Sequence, residues 1–398
     1  MNRDNLSALV MAIGVVSLIV GFAVYFNSPE LNKVTGLGQG GGTTNFIPTT
    51  TQVVQKGDDD STTVKKAQFS IDKSQFRKAP EFEKITGFIN TKPISLADLN
   101  GKVVLVDFWT YSCINCIRTI PYLVDWNGKY ADKGLVVVGV HAPEFEFEKN
   151  IDNVEEAVKR FGIKYPVIQD NDKGTWNAYQ NQYWPRKYLI DNEGYIRYDH
   201  IGEGGYTETE RVIQALLQER NASLSVDGNN TLIEPIISAP ENVQSVDFSK
   251  INSPELYFGY QLARAPLGNP EGFKPDQTVN YSLVNPGSNI GPNVIYLDGT
   301  WKNNADNMQL QSEIGRIALV YSAKSINIVA GGKGEVAVSE DGSTLDGKYL
   351  GADLSEGGKF TIDGQRLYNL STHDEYGVHA IVIDIKGKGF QAYTFTFG

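Results

Sequence analysis

Three textures of hydrophobic and polar positions follow one another along this chain of 398 residues. The first is one apolar block. Leu6 to Phe26 holds no charge and as a helix extends about 31 Å, enough to cross a bilayer core. Phe22-Ala-Val-Tyr-Phe26 lacks the small-residue exit of a cleavable leader, so residues 1–27 read as an uncleaved single-pass anchor. Arg3 and the amino terminus, partly offset by Asp4, favour a cytoplasmic N-terminus with the remainder outside. Residues 28–75 are rich in Gly, Thr, Asn, Gln and Asp, too polar to order themselves, and read as a flexible tether.

The second texture, residues 76–222, alternates strand-like and helix-like runs and predicts an α/β domain. A hairpin-like start (Ile85 to Leu96) precedes a buried strand, Val103-Val-Leu-Val-Asp-Phe-Trp109, and a helix beginning near Cys113. Then come a strand at Leu135 to Val140, a helix near Asn150 to Phe161 and a short strand at Pro166 to Gln169. A hairpin over Tyr188 to Tyr198 turns at Asp191-Asn-Glu-Gly194, and a closing helix, Thr207 to Leu217, opens on a Thr-x-x-Glu capping box. Beyond a linker at 223–242 the third texture appears. Short alternating runs such as Ile317 to Tyr321, Ile326 to Val329 and Ala380 to Asp384, parted by Gly, Asn and Asp, predict an all-β sandwich over 243–398.

A formal net charge of -11 excludes the basic footprint of a nucleic-acid binder. The chain has 2 cysteines, Cys113 and Cys116, and they form a Cys-x-x-Cys at the junction of the Val103 strand and the following helix. Unpaired N–H groups and the helix dipole favour an anion at that terminus, which makes Cys113 the nucleophile of a redox dithiol. Cys116, one turn further in, is placed to resolve a mixed disulfide. A zinc half-site lacks further ligands, since His141, His200, His373 and His379 are not paired at ligand spacing. A purely structural disulfide would close too small a loop to stabilise much. No metal is expected: Asp374 and Glu375, between His373 and His379, read as a solvated loop.

Val106-Asp-Phe-Trp-Thr-Tyr-Ser-Cys-Ile-Asn-Cys-Ile-Arg-Thr-Ile-Pro121, Val138-Gly-Val-His-Ala-Pro-Glu-Phe145 and Tyr183-Trp-Pro-Arg-Lys-Tyr-Leu-Ile-Asp191 resemble the thioredoxin-like (redoxin) domain of the DipZ family. That family lies within the extracytoplasmic TlpA and ResA type of thiol-disulfide oxidoreductases. Ser253-Pro-Glu-Leu-Tyr-Phe-Gly-Tyr260, Arg366-Leu-Tyr-Asn-Leu370 and Ala392-Tyr-Thr-Phe-Thr-Phe-Gly398 are similar to the family's C-terminal domain, a jelly roll likened to carbohydrate-binding modules. The resemblance implies a thioredoxin fold with Cys113 attacking and Cys116 resolving. It implies a buried acid at Asp107 that takes the proton of Cys116, and a cis-proline at Pro185 facing the dithiol. Trp109, Trp184, His141 and Glu144 are candidates for the substrate groove. No cofactor beyond the Cys113–Cys116 disulfide is implied. Where family members carry a multi-helix electron-transferring membrane domain this chain has one apolar span, so the resemblance implies a separate membrane electron donor of the CcdA type.

The expected function is that of a membrane-tethered extracytoplasmic oxidoreductase reducing disulfides of exported proteins. Two alternatives differ from it. Thr110-x-x-Cys113 has the outline of a peroxiredoxin loop, but Val106 stands where that loop needs proline. A glycan-binding protein with an accessory redox domain would use envelope polysaccharide as partner and stack sugars on Tyr257, Tyr260, Trp301, Tyr321, Tyr349, Tyr368 or Tyr376.

Overall fold

The computed structural model describes residues 73–224, 240, 243–283, 290–345 and 347–398, which all fall in one compact unit. The anchor at 1–27, the tether up to residue 72 and most of the linker lie outside the described residues. Among the described residues no helix is long and apolar enough to cross a membrane.

Residues 73–224 build a six-stranded mixed sheet. Its strands are β1 (Gly87–Ile89), β2 (Val103–Trp109), β3 (Leu135–His141), β4 (Val167–Gln169), β5 (Arg186–Ile190) and β6 (Ile196–Ile201), in the order β1-β4-β3-β2-β5-β6. The central pairs β2–β3 and β3–β4 are parallel, whereas β5 and β6 run antiparallel. Parallel strands need helical crossovers, which cover both faces and make β2 buried at every position. Alternation then divides β2 between two cores. Val103, Leu105 and Trp109 pack under helix α1 (Ile114–Tyr130), and Val104, Val106 and Phe108 pack on the opposite face. This is the thioredoxin-like domain that the sequence resemblance implies.

Three local expectations give way. The hairpin-like start is no hairpin: β1 crosses to pair with β4, because Gly87 to Ile89 fit the open edge of the sheet. The closing helix, Tyr206–Ser223, is capped by Gly205 at φ 61°, not by a Thr-x-x-Glu box, since glycine tolerates the left-handed entry there. A short helix at Gly174–Ala178 also appears where no helix was expected.

The C-terminal region is all-β, one hydrogen-bonded antiparallel sheet of ten strands in which eight follow one path and two pair beside it. Runs expected as separate strands fuse: Ile317 to Tyr321 and Ile326 to Val329 are parts of β11 (Ile314–Gly331), which pairs with β15 (Arg366–Lys386). Register shifts at Ala323/Ser325 and Ile326/Asn327 let these long strands bend instead of ending. Trp301, Tyr321 and Tyr368 are fully buried and Tyr257 is nearly so, which removes them as sugar platforms and assigns them to the core.

The two regions share one core. Tyr393, on β16 (Gln391–Phe397), packs edge-on against Phe145 at 5.3 Å and Phe147 at 4.6 Å, and Tyr257, on β7 (Leu256–Tyr257), joins the same cluster.

Candidate active site

Cys113 is the N-cap of α1, with extended backbone at φ −77° and ψ 115°, and its sulfur accepts the N–H of Cys116 at 3.3 Å. Both cysteines are thiols; Cys113 is partly exposed and Cys116 is buried. Cys113 opens into a cleft of about 400 Å³ whose walls come from both regions. Ser112, Asn115, Glu144, Tyr183 and Trp184 line one side, and Tyr257, Arg264, Thr394, Thr396 and Phe397 line the other. The Trp184–Pro185 peptide is cis, and the carbonyl of Pro185 accepts the N–H of Gly202 at 2.8 Å. The Trp184 indole donates to the Ala142 carbonyl at 3.0 Å, which fixes the ring at the cleft wall.

Behind the dithiol lies a buried acid and base. Asp107 projects from the α1 side of β2, as alternation with Leu105 and Trp109 requires, and burial pushes its carboxyl up to about 7 against the pull of Lys187. Lys187 stands directly opposite Asp107 in the β2–β5 pairing and donates to the Gly202 carbonyl at 3.0 Å. Burial lowers the Lys187 ammonium to about 8 although Asp107 and Cys116 hold it up. Desolvation raises the Cys116 thiol well above its ordinary value, with the neighbouring Cys113 and Asp107 adding to the rise. Gly139, the β3 partner of Asp107, makes room here: a Cβ would lie 2.9 Å from Nε1 of Trp109.

Glu144 is the second acid. It lines the cleft beside Cys113, and burial together with the charges of Glu255 and Glu148 raises its carboxyl to about 8. Tyr257 reaches across from β7 and donates to Oε1 of Glu144 at 2.7 Å. Glu148 pins the same loop: its carboxylate accepts Ser112 Oγ at 2.6 Å and the N–H groups of Glu144 and Phe145 at 2.6 and 3.0 Å. The residue before Cys113 and the loop carrying Glu144 are thereby tied to one buried carboxylate.

The sequence candidates therefore separate. Cys113, Trp184 and Glu144 share the cleft, and Cys116 and Asp107 stand behind it. Trp109 and His141 do not line the groove. They face each other in the β2–β3 register, their rings meet edge-on at 5.2 Å, and Tyr111 stacks over His141 at 5.7 Å, so aromatics close them off from solvent. Burial lowers the His141 imidazole to about 3, which keeps it neutral, and Thr110 Oγ1 lies 3.3 Å from its Nε2. Lys187, Glu148 and Tyr257 are site residues that sequence reasoning missed. Lys187 carried a signal, a lysine two positions after Pro185 on an apolar strand whose period places it beside Leu189.

Comparison with known proteins agrees with this geometry. The family described as "Thioredoxin like C-terminal domain" matches residues 253–398, and the AhpC/TSA family matches residues 76–199. Protein DipZ of Mycobacterium tuberculosis is 33% identical over 324 residues, which are 80% of this chain and 43% of that protein. The chain thus spans less than half the length of that relative. Thiol-disulfide oxidoreductase ResA of Bacillus cereus is 30% identical over 143 residues, 36% of this chain and 76% of its own length. Thiol-disulfide oxidoreductase YkuV of Bacillus subtilis is 30% identical over 121 residues, 30% of this chain and 81% of its own length. With a Cys-x-x-Cys capping the helix after the central strand, and with ResA and YkuV matched along most of their own length, the chain belongs to the thioredoxin-like thiol-disulfide oxidoreductases.

Proposed function

We propose that this protein reduces disulfides in exported polypeptides, with residues 76–222 as its catalytic domain and Cys113, Cys116, Asp107 and Pro185 at its site. The observation that carries this reading is the unequal placement of the sulfurs: Cys113 at the mouth of the cleft, Cys116 buried beside Asp107. The Cys113 thiolate attacks one sulfur of a substrate disulfide, forming a mixed disulfide and expelling the other sulfur as a thiolate that takes up a proton. Asp107 in its ionised form accepts the proton of Cys116. The Cys116 thiolate then attacks Cys113, forming the intramolecular disulfide and releasing the second substrate thiol. The substrate gains two electrons and the protein loses two. A dithiol donor must return them, and the proposed donor is a separate membrane protein of the CcdA type.

The apolar run of Leu6 to Phe26 supports a single-pass anchor with catalysis on the extracytoplasmic side. Peroxide reduction has less support, because Thr110 is fully buried against His141 instead of facing the cleft. A glycan-binding role for the β region has lost its main aromatic candidates to the core. The deciding measurement is the reduction potential of the Cys113–Cys116 pair. A value below about −200 mV, in the range of thioredoxins and glutaredoxins, supports reduction; one near about −120 mV makes the protein an oxidant and overturns the direction proposed.

A further inference from the structure

We propose that Glu340, His373 and His379, far along the chain from the dithiol, form a binding site for a divalent zinc ion. Each offers one ligand atom, and the three atoms lie within 4.8 Å of one another. The backbone builds this cluster on purpose-made irregularities. β15 carries both histidines, and its pairing with β11 jumps from Ala323↔Gly377 to Ser325↔Thr372, so residues 373–376 bulge out of the ladder. The bulge folds His373 back over His379, and the two imidazoles stack with centroids 3.9 Å apart and planes within 6°. Glu340 enters from the end of β12 (Glu335–Glu340), the neighbouring strand, whose register pairs it with Ile381.

Three features distinguish the cluster from a solvated loop. First, the Glu340 side chain is 5% exposed, and among the described residues its ion-pair partner is His373, at 2.8 Å, with no Lys or Arg within reach. A buried carboxylate with a histidine as its ionisable partner and no Lys or Arg beside it is a favourable ligand for a divalent ion. Second, the surrounding groups already act as outer supports. Tyr321 donates to Glu340 Oε1 at 2.6 Å, Ser371 donates to Oε2 at 2.9 Å, and Asp341 holds Nδ1 of His379 at 2.9 Å, the carboxylate–histidine arrangement that orients a metal-binding imidazole through its other nitrogen. Third, that other nitrogen has space only because residue 377 is glycine: a Cβ there would lie 2.6 Å from Nε2 of His379. The acidic residues between the two histidines are not part of the cluster: Asp374 and Glu375 are exposed, and Asp374 is paired with Lys348.

Two imidazoles and one carboxylate suit Zn²⁺, with bonds of about 2.0–2.2 Å and a fourth position for solvent. The stacked rings must turn out of their parallel arrangement for both imidazole lone pairs to point at one ion. The carboxylates of Glu340 and Asp341 balance the ion's two charges.

The test is calorimetric titration of Zn²⁺ into the untagged full chain with Cys113 and Cys116 held as the disulfide, so that the thiols cannot compete. One ion per chain with micromolar or tighter affinity is expected. His379→Gln should abolish it, and Asp341→Asn should weaken it about ten- to a hundredfold. Gly377→Ala, which removes no ligand, should weaken it as well by crowding Nε2, and Co²⁺ substitution should give the intense visible bands of a four-coordinate site. Absence of saturable binding in the native chain overturns the proposal, as does affinity unchanged in both His379→Gln and Gly377→Ala.

Discussion

At the scale of single residues the chemistry depends on burial acting oppositely on neighbouring groups. That Cys113 caps the helix was legible because the cysteine sits at a strand-to-helix junction, and that Asp107 is buried because it stands in so apolar a strand. Glu148 was not legible, since it draws its meaning from partners on another loop, and the signal that Lys187 carried gains its meaning only from Asp107 on the neighbouring strand. Cys116→Ser should accumulate mixed disulfides with disulfide-bonded insulin or a disulfide-containing peptide, whereas Cys113→Ser should form none; equal trapping by both variants would overturn the assignment of the two roles. The rate at which Cys116 resolves a mixed disulfide should rise as pH rises through about 7, because Asp107 is a base only once it loses its proton. Asp107→Asn should remove that rise and cost about a hundredfold in rate above pH 7. Lys187→Met takes away the cation that lowers the Asp107 carboxyl, so the rise should move to higher pH, and a profile left in place would mean that Lys187 is only structural.

At the scale of elements, periodicity located β2, β3 and α1 because each is long and buried in one consistent pattern. It failed for β7, which contributes only Leu256 and Tyr257 and is defined by pairing with β16 at Thr394 and Phe395. Two residues carry no period, yet they bring the Tyr257 hydroxyl to Glu144. That hydrogen bond lowers the Glu144 carboxyl against the stronger effect of burial. Glu144 is therefore mostly protonated below about pH 8 and charged above it, and the new charge opposes a thiolate in the same cleft. Alkylation of Cys113 followed against pH should show an inflection near 8 that Glu144→Gln abolishes. Tyr257→Phe should move it upward, and an inflection indifferent to Tyr257 would detach β7 from the site.

At the scale of the whole molecule, composition divided the chain into anchor, tether, α/β region and β region but could not show how the last two meet. Residues 76–222 contain both cysteines, Asp107 and Pro185, so the sequence reads as a catalytic unit complete in itself. The packing differs, because Phe145 and Phe147 lie against Tyr393 and Tyr257. Hydrophobic periodicity marks these rings as buried without saying which neighbour buries them. A chain truncated after residue 242 should lose stability by about 3 kcal/mol, the burial of one to two aromatic side chains. Its Cys113 should also alkylate faster, since one wall of the cleft is gone; unchanged melting and reactivity would restore the independent-unit reading. The full chain should remain with membranes through a high-salt wash, because salt screens charge and leaves hydrophobic burial intact. Release by salt alone would remove the anchor.

The cap of α1 ties electron transfer to a backbone amide. The sulfur proposed to attack substrate is the same atom that accepts the Cys116 N–H, so its charge and bonding state bear directly on one peptide proton. As a thiolate it is a strong acceptor, and once bonded to substrate or to Cys116 it is a weaker one. The nitrogen-15 and proton resonances of that amide are consequently a built-in gauge of the catalytic cycle, which nuclear magnetic resonance can follow in the native chain without any added dye or reporter.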